Sequence, residues 1–424
     1  KYGGTLLMAR NCHRSAYHGA ELRGAKTVYL YPQYIPELGI NGAILPEDVE
    51  NVLQKSIIEK KQQADGKTEK DSGGDREKNQ NRIQTDIQAV MIVSPTYDGV
   101  CSDVRRIAGI CHRYGVPLIV DQAHGAHFPF SKYFPEDAVS AGADVVIQSV
   151  HKTLPAMTQT ALLHVNGDMV KRRKVKQYLD MLQTSSPSYI LMASIDACIG
   201  MLEETLETHS DARSDYKYKN IFSEYANRIE ALRKDLKRLK YLKIIQTDNT
   251  DRYDRSKFVI SVKHAPMSSH ELYEILLHRY HLQMEMLAGT YVLAMTTVGD
   301  TQEGLDRLRD ALLEIDKEID TRQGRPAAIE TDLPLSGRQP ALEKVWTIAE
   351  AVNRRDKIQK RSFEDSIGCI SVEYAYLYPP GSPLIVPGER ITKEAVEILH
   401  WYQEHDFSIE GLQSEDGIEV WIDG

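Results

Sequence analysis

The sequence predicts an α/β fold with a mostly parallel central sheet, followed by smaller α+β and C-terminal domains. Two observations carry that expectation. Through the first half of the chain, short apolar runs of strand length alternate with longer helical patterns. That alternation produces parallel strands covered by helices on both faces. Beyond about residue 205 it gives way to a shorter, mixed pattern.

Taken in order, strand-like runs lie at Thr5–Met8, Thr27–Leu30, Ala89–Val93, Leu118–Asp121, Val145–Ser149 and Thr160–Val165. Helical patterns fall between and after them, as at Ser102–Tyr114 and Lys171–Leu182. The stretch 59–86 interrupts the series. It is rich in Lys, Gln, Asp, Glu and Gly and almost free of apolar residues, so it is expected to be a mobile surface insertion. Ser131–Ala141 is long enough for a helical crossover between two strands. Tyr218–Leu239 has helical periodicity, Lys257–Val262 and Tyr291–Met295 read as strands, and Glu303–Ile319 as a charged amphipathic helix. Helices are expected at Ala341–Arg355 and Lys393–Glu404, with the Pro-rich turn Tyr378–Pro383 and a short strand, Leu384–Val386, between them. The expected domains are 1–205, 206–324 and 325–424.

Composition excludes several function classes. A formal charge of -9 and a pI near 5.9 argue against general nucleic-acid affinity. The five cysteines are scattered singly, without zinc spacing, and their odd count argues against a disulfide framework. No metal site is expected. No apolar run approaches membrane-spanning length and no signal peptide is visible, so a soluble cytoplasmic protein without a membrane partner is expected.

The most informative pair of residues is Asp121 and Lys152. Asp121 ends the apolar run Leu118–Asp121, and Lys152 follows Val145–Ser149 within Ser149-Val-His-Lys-Thr-Leu-Pro155. If a crossover joins the two strands they run parallel, and their carboxyl ends meet at one sheet edge, where open α/β sheets bind ligands. A carboxylate and a lysine at opposite ends of one small planar ring are what pyridoxal 5'-phosphate requires. The amine condenses with its aldehyde and the acid keeps its ring nitrogen protonated. Taken singly, Asp121 also reads as a helix N-cap and Lys152 as a solvated loop lysine. Ser149 and His151 beside them favour the cofactor.

The same residues carry a family resemblance. Residues 149–161, Ser-Val-His-Lys-Thr-Leu-Pro-Ala-Met-Thr-Gln-Thr-Ala, resemble the cofactor-attachment motif of the ornithine/lysine/arginine decarboxylases. Further matches are Arg10-Asn-Cys-His13-Arg-Ser15, Ser94-Pro-Thr-Tyr-Asp-Gly99, Asp121-Gln-Ala-His124-Gly-Ala-His127, Gln183-Thr-Ser-Ser-Pro-Ser-Tyr189 and Tyr378-Pro-Pro-Gly-Ser-Pro383. They follow the family's order along nearly the whole chain, in the proportions of its short form without a wing domain. The resemblance implies an aminotransferase-like fold type I and α-decarboxylation of a basic L-amino acid. Arginine is favoured over lysine and ornithine, because shorter members often serve polyamine synthesis. It also implies a homodimer or higher homo-oligomer with shared sites. The family carries a Gly-Ser/Thr-rich phosphate loop ahead of the segment that opens here on Lys1-Tyr-Gly-Gly, so an N-terminally truncated member is expected.

Roles follow residue by residue. Lys152 is expected to hold the cofactor and later move a proton, and Asp121 to pair with the ring nitrogen. His13 resembles the histidine that stacks on the ring. His124 is expected near the ring or the substrate carboxylate, with a structural bridging role as the alternative. Ser149 and His151 are expected to donate to the phosphate. Ser185 and Ser186 resemble a loop reaching the phosphate of a neighbouring subunit, and equally a plain turn. Thr96 and Tyr97 are expected in the pocket wall. Glu285 is a carboxylate that could meet the distal cation of the substrate, or a solvated one. Two alternatives stand beside decarboxylation. One is another reaction of the same cofactor, such as transamination, for which Arg390 is the candidate carboxylate clamp although it reads as structural. The other is a catalytically impaired fragment or partner subunit.

Overall fold

The computed structural model describes residues 2–65, 85–206, 220–245, 252–321, 339–354 and 356–422. The six strand-like runs of the first half form one six-stranded sheet. Its order is Lys26–Leu30, Thr5–Ala9, Ile87–Val93, Leu118–Asp121, Val145–Ser149 and Ala161–Val165. The first five run parallel, and the last is an antiparallel edge. Strand interiors such as Leu7, Met8, Val90, Ile92, Leu118, Val120 and Val146 are buried. On the opposite face Met91, Ile119 and Ile147 are half-buried, so these runs are apolar rather than alternating. Chain order reverses between Thr5–Ala9 and Ile87–Val93. Such a switch point splays the loops leaving two neighbouring strands and opens a crevice beyond their carboxyl ends.

A second sheet is antiparallel, in the order Met286–Leu287, Tyr291–Met295, Lys257–Ser261 and Lys243–Ile244. The helices Ile221–Leu236, Ser269–His278 and Gln302–Thr321 contribute Ile229, Leu232, Leu272, Leu308 and Leu312 to the core around it. The C-terminal part builds two three-stranded sheets around the helix Lys393–Glu404. One buried ion pair locks it to the first sheet. Arg10 follows the strand Thr5–Ala9, and its guanidinium donates to Glu389 at 3.2 Å, to the Leu384 carbonyl at 2.9 Å and to the Pro383 carbonyl. Both charged side chains are fully buried. Ser382 Oγ donates to the Asn11 carbonyl at 2.9 Å, and the Arg14 amide to the Gly381 carbonyl at 2.8 Å. These bonds carry the turn 378–383 across the end of the central sheet.

Three expectations need correction. The connection 131–141 is a run of turns rather than a helix. Asp137 Oδ1 accepts from the amides of Val139 and Ser140, at 3.0 Å each, and draws the chain into a turn. The helix expected at Ala341–Arg355 is confined to Ile348–Val352. Lys344 forms a bridge with Glu389, the Val345 amide donates to the Gly388 carbonyl, and Thr347 with Glu350 closes a capping box that starts the helix late. The insertion expected at 59–86 begins inside a helix, Pro46–Asp65, and residues 66–84 of it lie outside the described residues.

Candidate active site

The crevice at the switch point is a cavity of about 390 Å³. Loops leaving four adjacent parallel strands line it with Asn11 and His13, Thr96 to Asp98, Asp121 with Ala123 and His124, and Ser149 with Lys152. The second sheet adds Glu285, and the C-terminal turn adds Tyr378, Pro380 and Ser382.

Asp121 is the last residue of its strand, and its Oδ1 accepts from the Ala123 amide at 3.1 Å. Burial pushes its carboxyl up, while that amide and Lys152 pull it down. Lys152 sits on a one-turn helix, Val150–Thr153, directly after the neighbouring strand. Burial lowers its amine against the opposing pull of Asp121 and Glu285. Its Nζ lies 3.1 Å from His124 Nε2. His124 is buried, with its ring 4.5 Å from that of Tyr97. Tyr97 in turn donates to Glu285 at 2.5 Å.

His13 caps the helix Arg14–Arg23, and its Nδ1 meets the Ser15 amide and Oγ. Burial, then Lys152 and Arg14, holds it down at about 4, so its ring is neutral at pH 7. Gly381 packs so closely that a Cβ there would stand 2.9 Å from the His13 ring, and its φ is +77°. Both facts require glycine. Thr96 spends its hydroxyl on the Val100 amide, at 3.0 Å, and so shapes the wall.

The eight core candidates therefore divide six to two. Lys152, Asp121, His13, His124, Ser149 and Thr96 share the cavity. His151 is not among its lining residues, and its Nδ1 is occupied by the Thr160 carbonyl at 2.7 Å. Ser185, the eighth, and Ser186 stand exposed on a loop away from the cavity. Arg390 is engaged elsewhere, with Glu343 and the Gly368 carbonyl, at 2.8 Å each. No arginine is among the described residues lining the cavity. Sequence reasoning missed Lys257, whose fully buried amine lies 2.9 Å from His124 Nδ1. A lysine opening a strand ordinarily reads as solvated. The available signal was its place ahead of the wholly apolar Phe-Val-Ile. Among the described residues no cluster has the make-up of a metal site, and no helix is long and apolar enough to cross a membrane.

Comparison with known proteins shows the family and the fold. The model of the Orn/Lys/Arg decarboxylase major domain matches residues 1–282, and that of the same family's C-terminal domain matches 338–420. An arginine decarboxylase of Bacillus anthracis is 27% identical over 421 residues, covering 96% of this chain and 74% of that protein. The uncharacterized protein YaaO of Bacillus subtilis is 32% identical over 400 residues, covering 94% and 73%. The structure of the Escherichia coli constitutive lysine decarboxylase superposes with a TM-score of 0.72 at 21% identity, over 99% of this chain and 66% of that one. That likeness shows the shared fold.

Proposed function

Because the chain belongs to the Orn/Lys/Arg decarboxylase family, we propose that it removes the α-carboxylate of a basic L-amino acid as carbon dioxide, using pyridoxal phosphate. The observation that carries this reading is the pairing of Asp121 and Lys152 at the carboxyl ends of adjacent parallel strands, facing one cavity.

The residues present fit the cofactor. A half-buried carboxylate with one backbone donor retains acceptor capacity for a ring N–H. The hydroxyl of Ser149 makes no capping bond and is available to a phosphate oxygen. When bound, the cofactor supplies an aldehyde for amine condensation and an electron-accepting ring. The chain's own groups do the rest. Asp121 holds a proton on the ring nitrogen. The neutral ring of His13 lies against one wall, where a charged one would oppose the protonated ring. Tyr97, Tyr378 and Pro380 complete the cavity wall. Lys152 returns a proton to the carbon that loses carbon dioxide. None of the described residues lining the cavity is an arginine that could clamp the substrate carboxylate. That favours its departure over transamination.

Glu285 faces the cavity from the second sheet and suits the distal cation of the substrate. Arginine is the favoured substrate, supported by the name of the Bacillus anthracis relative. The partner is a second copy of the chain. The helix Arg172–Leu182 buries no residue, and Leu182 and Tyr189 are 76% and 80% exposed beside Ser185. Such a patch calls for cover. Incubation with pyridoxal phosphate and arginine, lysine or ornithine in turn should release carbon dioxide from one of them. Release from none would refute the proposal.

A further inference from the structure

Asp98, Asp121 and Glu285 are the carboxylates among the described residues lining the cavity, and each meets a different donor. Asp121 receives the Ala123 amide at 3.1 Å. Asp98 is buried, receives the Tyr291 hydroxyl at 2.5 Å and is pushed up by burial to about 6. Glu285 is the exposed one, and its Oε1 receives the Tyr97 hydroxyl at 2.5 Å. Among the described residues that phenol is the one hydrogen-bond donor to the Glu285 carboxylate.

The backbone at Glu285 is fixed and its side chain is not. Its amide donates to the Leu293 carbonyl at 2.9 Å. Met284 and Met286 on either side are buried, so strand alternation turns Glu285 outward to the cavity. An exposed glutamate of this kind keeps its rotamer freedom, and a ligand that uses it must order it on binding.

Tyr97 removes that freedom, because it is itself held. Its ring stands 4.5 Å from the His124 ring and packs on the apolar cluster of Ile40, Val259, Met286, Tyr291 and Leu293. Burial, then Glu285, pushes its phenol far up, so the hydroxyl stays a donor. The bond joins a loop of the first sheet to the second sheet, across 188 residues. It occupies one lone pair of Oε1 and leaves Oε2 to a ligand. We infer that Tyr97 is a positioning residue for substrate selection: its hydroxyl holds Glu285 by one oxygen, so that the other meets the cation at the far end of the substrate side chain. This rests on reading Glu285 as the partner of that cation. A neutral side chain of equal length gains nothing from the bond, so the hydroxyl acts on the choice between charged and uncharged substrates.

The test uses the full chain loaded with pyridoxal phosphate and reads equilibrium binding of amines, which have no carboxylate to lose. Calorimetric titration compares agmatine and cadaverine with pentylamine, which has the chain and no distal charge. The unmodified chain should prefer one of the cationic amines. Tyr97→Phe keeps the ring against His124 and should retain native circular dichroism. It should cut the preference about fivefold, the scale of leaving one long side chain to be ordered on binding, while pentylamine binds as before. Glu285→Gln should cut the preference at least as far, and adding Tyr97→Phe to it should change nothing more. A preference kept in Tyr97→Phe, an equal loss for pentylamine, or effects of the two variants that add would overturn the inference and leave Glu285 as the partner of the cation. A preference kept in Glu285→Gln, or none in the unmodified chain, would remove that partner and the inference with it.

Discussion

Arg10→Met should release the C-terminal part of the chain from the central sheet. Arg10 and Glu389 are both fully buried, 3.2 Å apart. Methionine keeps most of the volume and removes the charge. Glu389 would then retain the Val386 amide, at 2.9 Å, as its one recorded donor. The carbonyls of Pro383 and Leu384 would lose theirs. Breaking a buried pair from one side costs about 3–5 kcal/mol, chiefly because an uncompensated charge stays behind. The stranded carbonyls set the expectation at the upper end of that range. Adding Glu389→Leu removes the stranded charge, so the double variant should recover about 2–3 kcal/mol relative to additivity. The three tryptophans, Trp346, Trp401 and Trp421, all lie in the part that Arg10 anchors. Urea unfolding followed by tryptophan fluorescence therefore reads the effect directly. A cost below about 1 kcal/mol for Arg10→Met, or additive single and double variants, would refute the reasoning.

Three further outcomes follow from the same structure. Asp121→Asn should lower turnover roughly a hundredfold or more, the scale of a lost proton-holding group, while borohydride still fixes the cofactor on Lys152; near-normal carbon dioxide release would show that another group holds the ring proton. Leu182→Glu with Tyr189→Glu should give a monomer by light scattering, with unchanged circular dichroism, and a persisting dimer would move the interface elsewhere. His13 titrates at about 4 in the fold against an ordinary 6.5. The unfolded chain binds the extra proton between those values, so this group removes stability as pH falls from 6.5 towards 4. His13→Asn should shrink the loss of stability between pH 7 and pH 5 in urea titrations, and an equal loss in both proteins would contradict the assignment.

The central sheet was legible because its strands are buried on one face and half-buried on the other, and so stand out as apolar runs bounded by polar residues. Asp121 and Lys152 were legible as a pair because each ends or follows such a run. Local chemistry misled where tertiary pairing prevailed. Residues 341–347 carry helical spacing, yet the Lys344 bridge to Glu389 and the bond from Val345 to Gly388 hold them extended. The connection 131–141 has helical length, but Asp137 folds it into turns. His151 sits beside Lys152 in sequence, and the short helix after Ser149 turns its Nδ1 to Thr160 instead. Lys257 was invisible because its partner His124 is 133 residues away. Only the packing of the second sheet against the first brings them together.

Lys152 is the residue proposed to take the cofactor. Incubation with pyridoxal phosphate, borohydride reduction and peptide mass mapping test it most directly. A single modified peptide carrying the cofactor on Lys152 is expected, and it should be lost in Lys152→Ala. Reduction onto Lys257, onto a surface lysine, or onto none would contradict it.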